Sequence, residues 1–266
     1  MHRRNGATEN ERRRPRIDKR IEDRLTHISI VLALVIASAS GARAQTAAKK
    51  FEILDNSFLV EEAFNQEAGV VQTIGTWSIA RRGDWEAMVT QEWPIGGKTH
   101  QFSFTVPFAG AQEGAGIGDV LVNYRFQLMD EDGRRPAIAP RVSLVLPTSR
   151  DRFESRIPGV QTNVPFSKQF GDLYVHWNAG LTWLPGIDLT APQLAASTIW
   201  RVAPMFNLMF EAVLGEATLT VSPGFRRGWN IGDHQIVFGA ALPVSGDSDG
   251  PRLAFLSYLS YELPFK

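Results

Sequence analysis

The chain has no cysteine. That excludes a disulfide framework and any thiolate metal site. It has little lysine after residue 44, only Lys49, Lys50, Lys98, Lys168 and Lys266, whereas a sheet surface facing water normally carries more. After Ala44 it also lacks any apolar run near the roughly 20 residues that a membrane helix needs. Nucleic-acid chemistry is excluded by charge. Residues 1–44 hold ten of the 28 basic and five of the 28 acidic residues, leaving 18 basic against 23 acidic in the body. An acidic body repels a phosphate backbone.

The basic head has a separate explanation. A charged stretch is followed by "ISIVLALVIASASGARA", an apolar core and then Ala42-Arg43-Ala44 with small residues two apart. This is the layout of a secretory signal peptide cut before Gln45. A membrane anchor is the other reading, and the shortness of the apolar run counts against it.

What the body does contain is alternation. In "LYVHWNAGLTWL", Leu173, Val175, Trp177, Ala179, Leu181 and Trp183 alternate with Tyr174, His176, Asn178, Gly180 and Thr182. Successive side chains of a strand point to opposite faces, so one face is apolar and the other polar. The pattern recurs in "QFSFTVPF", "DVLVNYRFQLM", "AIAPRVSLVL", "FNLMFEA", "TLTVSPGFR", "QIVFGAAL" and "LAFLSYLSYELPFK". About twelve strands result, with cores at 71–80, 85–93, 99–108, 117–129, 136–147, 159–167, 172–184, 194–202, 205–213, 217–227, 234–243 and 252–265. Turns rich in Gly, Pro, Asp and Asn separate them. Short ones ("DEDGRRP", "KQFG", "NIGD") largely alternate with long ones ("PTSRDRFESRIPG", "PGIDLTAPQ", "PVSGDSDGP").

An even number of roughly ten-residue alternating segments with alternating short and long connections predicts an all-β fold, an antiparallel transmembrane β-barrel of about twelve strands. A soluble sandwich also alternates, but with its apolar face in a core. The scarce lysines favour lipid, as do Trp77, Trp85, Trp93, Trp183, Trp200 and Trp229 near strand ends. The predicted lipid face includes Phe104, Phe126, Leu144, Trp177, Phe210 and Phe238. The organisation expected is a leader and signal peptide over 1–44, a periplasmic or lumen-inserted segment over 45–70, and a barrel over 71–266.

Two stretches carry a family resemblance. "NSFLVEEAFNQEAGVVQTI", Asn56 to Ile74, resembles the start of mature proteins in a bacterial outer-membrane family labelled for the MetA pathway of phenol degradation. "GAGIGDVLVNYRFQL", Gly114 to Leu128, resembles its Gly-x-Gly-Asp strand start. The resemblance implies an outer-membrane channel for small, hydrophobic or aromatic solutes, and brings no catalytic residues with it. The partners it and the barrel reading imply are outer-membrane lipid, a small-molecule solute and, during biogenesis, the barrel assembly machinery.

Candidate site residues are the polar side chains expected inside. Glu61, Glu62 and Asn65 precede the first clear strand and are too polar for lipid. They belong to a segment in the lumen, a tail or an extra strand. Glu86, Glu92, Arg125, Arg141, Asp172, His176, Arg201, Glu211, Arg226 and Glu262 fall on the polar faces. They make either a salt-bridge network, because unpaired buried charge is expensive, or a constriction that selects solutes. "GAGIGD" lacks the following helix that a phosphate loop needs. His176 is the one histidine well inside a strand and no Gly-x-Ser-x-Gly elbow exists, so catalysis is not expected; the alternatives are an outer-membrane lipid hydrolase or a secreted β-sandwich binding protein. No cofactor is expected. No metal is expected either, since His100, His176 and His234 fall in separate strands.

Overall fold

The computed structural model describes residues 52–53, 55–111, 114–149, 156–247 and 250–265. The leader and signal-peptide expectation, residues 1–44, lies outside the described residues.

Fifteen strands form one antiparallel sheet. Twelve make the wall: β1 Val70–Ala80, β2 Trp85–Ile95, β3 His100–Ala111, β5 Val120–Phe126, β7 Arg141–Leu146, β8 Gly159–Phe170, β9 Leu173–Leu184, β10 Leu189–Ala203, β11 Phe206–Leu214, β12 Leu219–Ile231, β13 His234–Ala241 and β15 Gly250–Pro264. Three short strands extend it. β4 Gly114–Ile117 pairs with β3, β6 Ala137–Ile138 pairs with β8, and β14 Val244–Asp247 bridges β12 and β15. Each wall strand pairs with its sequence neighbour. β1 also pairs with β15 from Val70↔Pro264 to Ala80↔Ala254, and that closes the barrel. Closure gives backbone donors and acceptors partners without water, the condition for crossing lipid with strands.

Both ends of the wall chain, Val70 and Pro264, lie at one rim, called here the terminal rim. The turns at that rim include the tight pairs Gly171–Asp172, Pro204–Met205 and Gly232–Asp233. The 127–136 connection is longer. In it Arg135 donates to Asp132 at 2.6 and 2.8 Å, which with two backbone N–H donors holds that carboxyl well below the usual range.

The alternation is realised as predicted. Phe104, Phe126, Leu144, Trp177, Phe210 and Phe238 share the outward parity of their strands, and Trp177 stacks on Phe166 with centroids 5.5 Å apart. Large apolar side chains such as Trp183, Leu208, Phe255 and Leu259 stand exposed on this outer face, as hydrocarbon-facing side chains do.

One expected long connection is short. "PGIDLTAPQ" makes its turn with the single 3-10 turn Pro185–Ile187 and with Asp188 in the left-handed region at φ 51°. β10 then starts at Leu189 and pairs with β9 through Pro192↔Leu181. The two prolines had marked this stretch as a loop, but Pro192 fits within the paired strand. Similarly, Lys168 to Phe170 continue β8, so "KQFG" contributes only Gly171 to a turn.

The interior is filled by the chain itself. Residues 52–53 and 55–66 lie inside the barrel without helix or strand. Ile53 and Phe58 pack there with inward Ile74, Tyr174, Ile199, Met209, Val237, Leu256 and Tyr258. Ala63 packs with Ala137 and Ala139, with Phe64 against them. The link to the wall is brief: Glu67 accepts from the Val70 N–H at 3.1 Å, and Gly69 at φ 78° accepts from Phe265 at 2.7 Å.

Candidate functional site: an occupied lumen

Three inward glycines make room for the internal segment. A Cβ on Gly239 would lie 2.2 Å from Phe58 Cζ, one on Gly224 3.2 Å from Phe58 Cε2, and one on Gly228 3.0 Å from Ile53 Cγ1. Glycine inside a strand marks such close approach. Tyr258 completes the Phe58 seat, its ring centroid 5.0 Å away.

The segment makes no ladder of its own, so wall side chains satisfy its backbone, as buried amides require. Glu211 accepts from the Leu59 and Val60 N–H groups at 2.8 and 3.2 Å. Asn178 accepts from Glu61 N–H and donates to Glu61 C=O, both at 2.8 Å. Ser167 accepts from Ala63 at 2.7 Å. Gln127 accepts from Asn65 N–H at 2.9 Å and donates to Ala63 C=O at 2.8 Å. Gln101 accepts from Gln66 at 2.6 Å. The arginines serve the carbonyls. Arg226 donates to Ile53, Asp55 and Asn56 at 3.2, 2.6 and 3.2 Å. Arg125 donates to Glu62 and Phe64 at 3.3 and 2.7 Å. A guanidinium, with five donors in a rigid fork, suits several carbonyls at once.

Charge is matched at the same level. Glu61 pairs with Arg141 at 2.7 Å, and Glu62 with Arg226 at 3.2 Å. Asp55 accepts from Gln72 at 2.7 Å, from Tyr258 at 2.5 Å and from Ser260. Asn65 accepts from Arg125 at 2.8 Å and donates to the carbonyls of Lys98 and Thr99. The Glu62–Arg226 pair lies deep, with Glu62 3 % exposed and Arg226 2 %, whereas Glu61 and Arg141 are half-buried.

The other predicted residues distribute by height. Glu211 and Glu92 are buried at the level of the segment. Glu262 meets Gln66 at 3.4 Å. Arg201 joins Glu52 at 3.0 Å and Asp172 at 2.6 Å at the terminal rim, where Asp172 occupies the turn before β9. Glu86 has the inward parity of β2 but is exposed near the opposite rim. His176 is fully buried, with Nδ1 2.6 Å from Ser167 Oγ and Nε2 3.8 Å from Glu62. His100 and His234 lie on the outer face, bonded to Tyr124 and Tyr261 at 2.6 and 2.8 Å. Sequence reading missed Asp55, Gln101, Gln127, Ser167, Tyr258 and Ser260. Inward parity was the available signal for the wall residues among them, together with the strand glycines in "SPGFRRGW" and "VFGAA"; Asp55, in a stretch without period, offered none.

Each wall strand brings a buried inward side chain to this level: Gln72, Glu92, Gln101, Arg125, Ser143, Ser167, His176, Ser197, Glu211, Arg226, Val237 and Ser260 from β1 to β15 in order. The segment therefore fills the cross-section. Toward the opposite rim the lumen opens. A cavity of about 270 Å³ there is lined by Leu121, Val145, Leu184 and Ile187, with Asp119, Gln161 and Thr182.

No family model matches the sequence, and no curated protein matches it at the sequence level. The fold does have solved counterparts. An outer-membrane channel from Pseudomonas putida F1 superposes with a TM-score of 0.58 at 10 % identity, covering 83 % of this chain and all of that one. The NanC porin superposes with a TM-score of 0.50 at 10 % identity, over 74 % of this chain and 99 % of that one. Both similarities are of fold.

Proposed function

We propose that this protein is an outer-membrane channel for small solutes, closed on the terminal-rim side of its lumen by its own residues 52–66. One observation carries the reading: a polar lumen is filled by a short, irregular segment held by hydrogen bonds and ion pairs, not by a strand. Such a segment can leave without breaking the wall. The even strand number, with both wall ends at one rim, and the signal-peptide expectation support a periplasmic terminal rim. Lipid then covers the apolar exterior. β15, the closing strand, is the element offered to the assembly machinery.

The Asn56–Ile74 resemblance and the cavity near the rim opposite the terminal one support a small hydrophobic or aromatic solute. Four aliphatic walls and three polar groups suit a small aromatic or hydrophobic compound with a hydroxyl. Arg125, Arg141 and Arg226 are the residues by which the constriction would select charge once the segment moves. The test is conductance and solute uptake in vesicles. Deleting residues 56–66 should raise both while the barrel stays folded. Unchanged conductance from a folded deletion variant would overturn the reading.

One observation favours a hydrolase instead, the Ser167 hydroxyl, His176 imidazole and Glu62 carboxylate in a row. A nucleophile needs an open face. Ser167 is wholly buried and already accepts from Ala63 N–H, so it anchors the segment. His176→Ala should leave vesicle conductance within about twofold of the parent, well short of the 10²–10⁴ that loss of a general base removes from catalysis. Ester hydrolysis abolished by that change would restore the enzyme reading.

A further inference from the structure

The lumen wall reads mostly main chain. Asn178 and Gln127 each use one amide to accept an N–H and donate to a C=O. Arg226 spans three carbonyls. Peptide groups are common to every polypeptide, so these contacts recognise the path of the backbone, which bends at residues 58–60, and not its sequence. Side chains are read as well: Ser57 meets Ser197, Glu62 meets Arg226, Asn65 meets Arg125 and Gln66 meets Glu262, and three further contacts are evenly spaced. Asp55 enters the hydroxyl and amide cluster of Tyr258, Ser260 and Gln72. Phe58 fills the seat between Gly224 and Gly239. Glu61 meets Arg141. The three fall three residues apart, in "DNSFLVE".

We propose that this wall is a binding site for a peptide with the pattern carboxylate-x-x-aromatic-x-x-carboxylate that follows the same bent path, taken in exchange for the chain's own segment. The inference rests on the proposed mobility of residues 52–66 but not on conduction. Backbone-directed donors and acceptors supply affinity, and the three seats supply register, the division of labour seen where peptides bind by strand addition.

The full-length chain tests this when its own segment is weakened and the wall is untouched. Phe58→Ala/Glu61→Ala is the variant; Phe58→Ala alone serves if the pair does not fold, judged by heat-modifiable mobility on gels. A fluorescein-labelled peptide of residues 52–66 is followed by polarisation in detergent. The parent peptide should bind, and a peptide keeping the three seats together with Ser57, Glu62, Asn65 and Gln66 but altered at the half-buried Leu59 and Phe64 should bind within about threefold. A peptide N-methylated at the positions of Glu61 and Ala63 loses two N–H donors but keeps every side chain. It should bind about tenfold more weakly or worse. A scrambled peptide of equal composition should be weakened similarly. Undiminished binding of the N-methylated or scrambled peptide, or no binding of any peptide to a folded variant, would overturn the proposal. Polarisation needs no pore, so failure of the channel reading would appear separately, as absent conductance with peptide binding intact.

Discussion

At the scale of single residues, the site depends on a few buried groups with several partners each. Arg226 is the clearest. Replacing it with Met would strip Glu62 of its cation and three carbonyls of their donor. Breaking a buried pair on one side costs about 3–5 kcal/mol, and urea unfolding of the Arg226→Met variant should show a loss of that order. Gly239 acts through absence. An added methyl would collide with the Phe58 ring, and overpacking of this kind costs roughly 1–3 kcal/mol. Gly239→Ala should therefore loosen residues 52–66, seen as faster proteolysis of the segment. Combining it with Phe58→Ala removes the ring clash but leaves the methyl 2.9 Å from the Phe225 carbonyl oxygen, so the double variant should cost less than the sum of the two single changes without returning to the parent. If the two costs simply add, the seat is not what the glycine serves.

At the scale of elements, the strands were legible in the sequence and the height of each residue was not. Alternation with period two fixes the face a side chain takes, which is why Phe104, Trp177 and Phe238 were placed correctly from sequence. It says nothing about depth. Glu86 and Glu92 share one face of β2, yet only Glu92 reaches the level of the segment. Asp172 looked like the start of a strand and sits in a turn, since a polar residue beside glycine suits both. The segment itself has no period to read. Its polarity excluded lipid, but its partners are spread from Gln72 to Ser260, and only closure of the wall brings them together. The strand reading carries its own test. Trp177 is mid-strand on the outer face, so Trp177→Arg should destabilise the barrel in bilayers by about 2–4 kcal/mol. Trp200, near the terminal rim, should tolerate Arg at about 0–1 kcal/mol. Guanidinium titration in vesicles measures both. Equal costs would show that Trp177 does not lie near the bilayer midplane.

At the scale of the whole molecule, β15 holds the structure shut. It registers with β1 along eleven residue pairs and with β13 along seven, and Tyr258 and Ser260 on its inner face receive Asp55. Truncation after Leu256 should abolish closure and seating of the segment together, read as loss of the compact band on unheated gels. The link between residue 66 and the first strand has a further consequence. Glu67, Ala68 and Gly69 are all that separate segment from wall, so a released segment stays within reach of its site. Short tethers give effective concentrations in the millimolar range. Reclosure should then be first order and indifferent to protein dilution, so single-channel dwell times should not change with density in the membrane. An outside ligand faces this rival at all times. In the unaltered chain it would need roughly millimolar supply to compete, and at micromolar supply the protein would look inert.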